Sequence, residues 1–201
     1  MNIKFINTKK HSSKNMKRFN GEVAGALIFV GTVQFILGML IAECIYPNYS
    51  VASNYISDLG KLGTVSAPVF NTSVFVLGLT VAVSAYFLRH IVRNKVFLGF
   101  LVLCGIGAMG VGIFPEDFGI VHTAVSFIAF LFGALSAIAS YKYQKPPLSY
   151  FAVILGLTSL AALVMFATSI YLGLGKGGME RMIAYPMLLW AIGFSGHLIR
   201  E

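Results

Sequence analysis

The chain has 201 residues, of which 57% are hydrophobic and 11% charged, with a mean hydropathy of +0.82. A soluble domain carries about a quarter charged residues, and one this small leaves much of its surface in water, so a soluble globular fold is excluded, as is disorder, which needs low hydrophobicity. The net charge of +8 does not point to nucleic acid, because six of the 15 basic residues crowd into the first 18 positions and most others punctuate apolar runs.

What remains is an all-α, polytopic integral membrane protein, a bundle of six transmembrane helices. A crossing takes about 20 apolar residues, and six runs qualify: 23–42, 67–88, 96–114, 119–141, 149–174 and 182–199. They follow a basic N-terminal tail, residues 1–22, and leave no room for a separate soluble domain; no series of short alternating strands suggests a barrel. The basic start before an apolar run imitates a signal peptide, but the run is too long, and Glu43 stands where a lipoprotein box needs a small residue. The first run therefore reads as an uncleaved span.

With the N-terminus inside, the inner side holds twelve Lys and Arg, namely Lys4, Lys9, Lys10, Lys14, Lys17, Arg18, Arg89, Arg93, Lys95, Lys142, Lys145 and Arg200. The outer side holds Lys61, Lys176 and Arg181. Lys and Arg favour the cytoplasmic side, so both termini are expected in the cytoplasm. Of the acids, Glu43, Asp58, Glu116, Asp117 and Glu180 fall on the outer side, which gathers the polar chemistry there.

After the first span comes the longest connection, from Tyr46 to Gly60 and beyond. Ser50 is placed to cap a short interfacial helix and Gly60 to end it. Two readings of that helix stand: one in which Ser57 and Asp58 make only local hydrogen bonds at the interface, and one in which Asn54 and Asp58, one turn apart, face the bundle together. In the third run, Gly99, Gly105, Gly107, Gly110 and Gly112 predict close helix contacts and a central place in the bundle. Gly105-x-Gly107-x-x-Gly110 has the spacing of a dinucleotide fingerprint but follows no strand. Pro115 ends the third span and Asp117 is expected to cap the fourth. His122 lies inside that fourth span, with Ser126, Gly133 and Ser140 recurring on a similar face; it reads either as a packing residue whose ring is satisfied by its neighbours or as a ligand facing a partner or a cavity. Cys44 and Cys104 belong at different depths, too far apart for a disulfide, and read as packing residues. The Gly173–Gly178 stretch lacks the ending of a phosphate loop and reads as a flexible turn before the sixth span. Arg181 and Tyr185 share a helix face, and Pro186 predicts a kink. Arg181 is expected to pair with Asp58 or Glu116, with a lipid phosphate as its other partner.

Three segments, Asn54-Tyr55-Ile56-Ser57-Asp58-Leu59-Gly60, Phe114-Pro115-Glu116 with His122, and Gly178-Met179-Glu180-Arg181 with Tyr185-Pro186 and Leu189-Trp190, keep an order and spacing that resembles an uncharacterised family, domain of unknown function 998. The resemblance covers about residues 22–199. It implies six spans in an archaeal or bacterial cell membrane and brings no established reaction.

Two functions from different classes fit these residues. In the first, a polar site at the outer face binds a lipid headgroup or similar amphiphile through Asn54, Asp58, Glu116, His122, Glu180, Arg181 and Tyr185. A catalytic version makes His122 a general acid or base beside Asp58 and Glu116; the spacing requires no metal, and no nucleophile motif is present. In the second, the chain is a non-catalytic accessory subunit of a larger membrane assembly, so other membrane subunits stand beside membrane lipids as expected partners. His90 and His197, near the inner ends of the second and sixth spans, are a weaker candidate pair for haem ligation, and no cofactor is assigned.

Overall fold

The apolar runs fold as the length of a bilayer crossing demands. The computed structural model describes residues 3–200, with side chains from residue 15 onward, and contains six helices: α1 (Ile3–Ile45), α2 (Ala67–Leu88), α3 (Lys95–Ile113), α4 (Ile120–Ala139), α5 (Leu148–Ala167) and α6 (Gly175–Arg200). All six are long and apolar enough to cross a membrane, the first over Asn15–Ile45. α1 runs unbroken through the basic segment from Ile3, although the side chains of Lys4, Lys9, Lys10 and Lys14 lie outside the described residues.

The second, third and fourth spans begin and end within two residues of the sequence expectation, but the turn between the last two is displaced. The fifth apolar run continues to Leu174, yet α5 stops at Ala167. Ser169, Leu172 and Gly173 take φ values of 57°, 47° and 80°, which no right-handed helix accommodates. Hydropathy is blind to that change of hand, because the turn itself stays apolar. Of the glycine-rich stretch expected to be a flexible turn, Gly173 does lie in the turn, but Gly175–Gly178 form the start of α6. Gly177 donates its N–H to Ala52 O at 3.0 Å, and a Cβ there would collide with Asn54 O. The glycines thus let the first connection lie directly on the start of α6.

Each helix packs on its neighbours in sequence, α6 closes back on α1, and α4 also touches α6. α3 is therefore a wall of a ring rather than its centre. Its glycines serve two neighbours: Gly105 and Gly112 admit the backbone of α2 at Gly78 and Asn71, while Gly107 and Gly110 admit α4 at Ala129 and Val125. Small residues allow this approach where lipid supplies no hydrophobic drive between helices. α6 runs through Pro186 without a break, and Ser159 Oγ of α5 donates to Ile183 O one turn before it at 2.8 Å.

The ring encloses a cavity of about 120 Å3. α1, α2, α3, α4 and α6 line it; α5 packs outside on α4 and α6. On α2 the lining residues are Phe70, Val74, Leu77, Gly78 and Val81, one helical stripe facing inward. On α6 the lining extends from Glu180 to Ala191, about 16 Å along the axis, or roughly half the thickness of a bilayer core.

Candidate functional site at the distal end of the bundle

The first, third and fifth connections meet at the end of the bundle away from both chain termini, and the first is the hub. It does not form the interfacial helix expected over Ser50–Gly60. It makes turns and then a single 3₁₀ turn at Ser57–Gly60. The cause is local: Asn54 Oδ1 accepts the N–H of Ser50 at 3.0 Å, and Asp58 Oδ2 accepts that of Tyr55 at 2.8 Å. Asn and Asp side chains that capture backbone donors in this way compete with a helix. Asn54 and Asp58 nevertheless come together as expected, with Asn54 Nδ2 donating to Asp58 Oδ2 at 3.2 Å.

Two ion nodes grow from this hub. In the first, Lys61 Nζ pairs with Asp58 Oδ1 and lies 3.5 Å from Glu116 Oε1, while Ser57 Oγ donates to Glu116 Oε2 at 3.2 Å. Burial pushes the Asp58 carboxyl up, but the bonds from Lys61, Asn54 and Tyr55 outweigh it and hold the group below the ordinary carboxylate value. Glu116 is displaced the other way, by burial and by the neighbouring Asp58 charge. Lys61 holds its proton more tightly because of its bond to Asp58. Asp117 does not cap α4. Its Oδ2 accepts the N–H of Leu62 at 2.8 Å, stitching the second connection to the first, and Gly119 (φ 54°) stands at the cap.

The second node is built on Arg181. Its guanidinium pairs with Glu43 of α1, donates to Tyr49 Oη at 2.6 Å and to Gly177 O and Val51 O at 3.1 Å each. The expected partners, Asp58 and Glu116, are committed to Lys61 instead. Glu43 is the residue sequence reasoning missed; an acid in the last turn of an apolar span was itself the signal, since such a residue needs a partner. Tyr49 donates in turn to Tyr55 O at 3.1 Å, and burial pushes its phenol up to about 12.

His122 joins neither node. Its Nδ1 lies 2.8 Å from Phe114 O and its Nε2 3.2 Å from Ser126 Oγ, so the ring bridges the end of α3 to α4. Tyr185, expected beside Arg181, is 39% exposed on the outside of α6, whereas Arg181 is 4% exposed. At the opposite end, His197 Nε2 lies 2.8 Å from Tyr143 O and His90 contacts Arg89 and Tyr86. Among the described residues, no three His, Cys, Asp or Glu side chains converge in a way that could hold a metal ion. Cys44 and Cys104 are both free thiols.

Asp58, His122 and Arg181 therefore do not share one space. In each case a neighbour on the same element does: Ser57, Ser126 and Glu180 all line the cavity. The first connection closes its distal end with Ile56 and Ser57, and Ile56 N–H donates to Glu180 Oε2 at 2.5 Å.

Compared with known proteins, residues 29–197 match a family described as protein of unknown function (DUF998). The chain belongs to that family. No curated protein and no solved structure matches it. The DUF998 match starts in the middle of α1 and ends three residues before the end of α6, so it takes in both ion nodes, His122 and every residue lining the cavity except Ile28.

Proposed function

We propose that this DUF998 protein binds an amphiphilic membrane molecule, with the apolar part in the five-helix cavity and the polar end at Ser57, Ser126 and Glu180. The observation that carries this reading is the cavity, a long space walled largely by Val, Leu, Phe and Ala side chains, with Ser57, Ser126 and Glu180 toward its distal end and Thr32 deeper in the wall. An empty space of about 120 Å3 costs a packed interior on the order of 3 kcal/mol, at the yield measured for cavities in protein cores. A hydrocarbon chain recovers those contacts. Apolar walls with a few placed polar groups are the usual make-up of a small-molecule site.

Enlarging Ala108 or Ala184, both in the wall and both buried, tests this. Ala108→Phe and Ala184→Phe should insert and fold but lose the small molecule that wild-type protein carries, read by native mass spectrometry from mild detergent. An unchanged bound mass in both variants overturns the reading. A stoichiometric protein partner with no small molecule would favour the accessory-subunit alternative.

The lysine and arginine asymmetry orients the distal end outward. Ser53, in the first connection and exposed, supplies the check: in a Cys44→Ser background, Ser53→Cys should react with an impermeant maleimide on intact cells. Reaction only after permeabilisation reverses the orientation.

A further inference from the structure

Among the described residues, Glu180 is the one charged side chain in the cavity wall. It is 6% exposed, its Oε2 accepts the Ile56 N–H, and its Oε1 takes no hydrogen bond among the described residues. Glu43, Asp58 and Glu116 each have a cation within 4 Å, but Glu180 has none among the described residues. The next residue supplies no counter-charge by hydrogen bond, because Arg181 directs its terminal nitrogens to Glu43, Tyr49 and two carbonyls. The distal end as a whole holds five carboxylates, Glu43, Asp58, Glu116, Asp117 and Glu180, against Lys61, Lys176 and Arg181. A second group in the same wall is also unsatisfied: Thr32 Oγ1 is fully buried and has no hydrogen-bond partner. A buried charge without a partner is expensive, and an ionisable residue at membrane depth marks a ligand or ion pathway.

We infer that Glu180 is the counter-charge for a cationic head, so that the amphiphile bound in the cavity is a long-chain amine. The inference rests on the cavity reading above and adds the chemistry of the head. The chain shows the same solution once already, in the Lys61 ammonium seated between Asp58 and Glu116. An ammonium entering from the cavity reaches the free side of Glu180 and donates to it, and Ser57 and Ser126 offer neutral hydroxyls beside it. A phosphate head meets the opposite field: both terminal nitrogens of Arg181 are committed, leaving only its buried Nε without a partner, and the charge in the cavity wall is negative. Like charges brought together in a poorly solvated site exclude each other. This sets aside the phosphate ligand expected for Arg181 from the sequence.

Three probes with one chain and different heads decide the matter: dodecylamine, dodecanol and dodecyl phosphate, each doped into phosphatidylcholine nanodiscs holding the full chain, with retention read by native mass spectrometry against empty nanodiscs. Wild-type protein should retain the amine at least about tenfold better than the phosphate, with the alcohol between them. In Glu180→Gln, whose amide oxygen still accepts the Ile56 N–H, the amine should fall to the level of the alcohol while the alcohol is unchanged. Ala184→Phe should lose all three. Phosphate or alcohol held as tightly as the amine, or an amine preference that survives Glu180→Gln, overturns the inference and leaves the cavity reading standing. Retention of none of the probes by wild-type protein removes the cavity reading and this inference with it. The wild-type ranking is decisive by itself if Glu180→Gln does not insert.

Discussion

Arg181 and Glu180 are adjacent on one helix, yet they belong to two regions with opposite logic. Neighbours on a helix point about 100° apart. Arg181 therefore turns into the cap, where α1, the first connection and α6 meet and its terminal nitrogens find acceptors. Glu180 turns into the cavity and finds a single backbone donor. In the cap Glu43, Asp58 and Glu116 each have a cation within 4 Å, although Arg181 Nε and Asn71 Oδ1 are buried without a partner. The cavity is hydrocarbon-like, with a carboxyl and a hydroxyl left over. The residue types alone do not separate these roles, since both regions hold buried acids; the pairing does. In a bundle embedded in lipid, paired polar groups bind elements together, and an acid without a cation in a cavity wall is the place to test for a ligand.

The strongest way to break this comparison is to remove each charge separately. Arg181→Met strands Glu43, whose side chain is 17% exposed, and takes a donor from Tyr49, Val51 and Gly177. Breaking one partner of a buried pair costs about 3 kcal/mol or more, so the melting temperature in detergent should fall steeply, and Glu43→Gln added to Arg181→Met should recover part of the loss. Glu180→Gln removes an acid that has no cation within 4 Å among the described residues. It should leave the melting temperature unchanged or raised. Equal losses in the two single variants would show that Glu180 is part of the cap after all, and the division between the regions would fail.

How much of this was legible follows from what lipid demands. A crossing needs some 20 apolar residues, and that requirement placed all six spans. The ring and its cavity were not legible, because a helix apolar on every side shows no preferred face; α3, rich in glycine, looked central when it is a wall. The α5–α6 turn was misplaced because positive-φ residues at Ser169 and Leu172 leave no trace in hydropathy. At the distal end, Asn54 and Asp58 were correctly joined, since a four-residue spacing brings them near in a turn as well as in a helix. Arg181 was given the wrong partner because its own, Glu43, lies 138 residues away, and proximity across a ring cannot be counted along a chain. Glu180 was one of the candidate residues, but that no cation pairs with it within 4 Å among the described residues is visible only in the packing.

Within the cap, the Asp58–Lys61–Glu116 node offers a smaller test, because Lys61 is partly exposed and Glu116 only half-buried, so solvent weakens the pairing. The two acids should act on stability with opposite signs. Asp58 is held below its ordinary 3.8: the folded chain favours its ionised form, so its contribution is complete above that value and lost as the pH falls through the lower, folded one. Glu116 is raised above its ordinary 4.5 by burial and by the Asp58 charge. The folded chain favours its protonated form, so that contribution is present below 4.5 and lost as the pH rises through the folded value. Thermal melts of wild-type protein across the acid range should therefore show two slopes of opposite direction. Asp58→Asn should abolish the loss at the acid end and also shrink the Glu116 effect, because it removes one of the charges that raise Glu116. Glu116→Gln should flatten the decline above 4.5 and also alter the loss at the acid end, because Glu116 is one of the groups that hold Asp58 low. If Asp58→Asn melts in parallel with wild-type protein at every pH, the node is a solvated surface pair, and the cap is held by Arg181 alone.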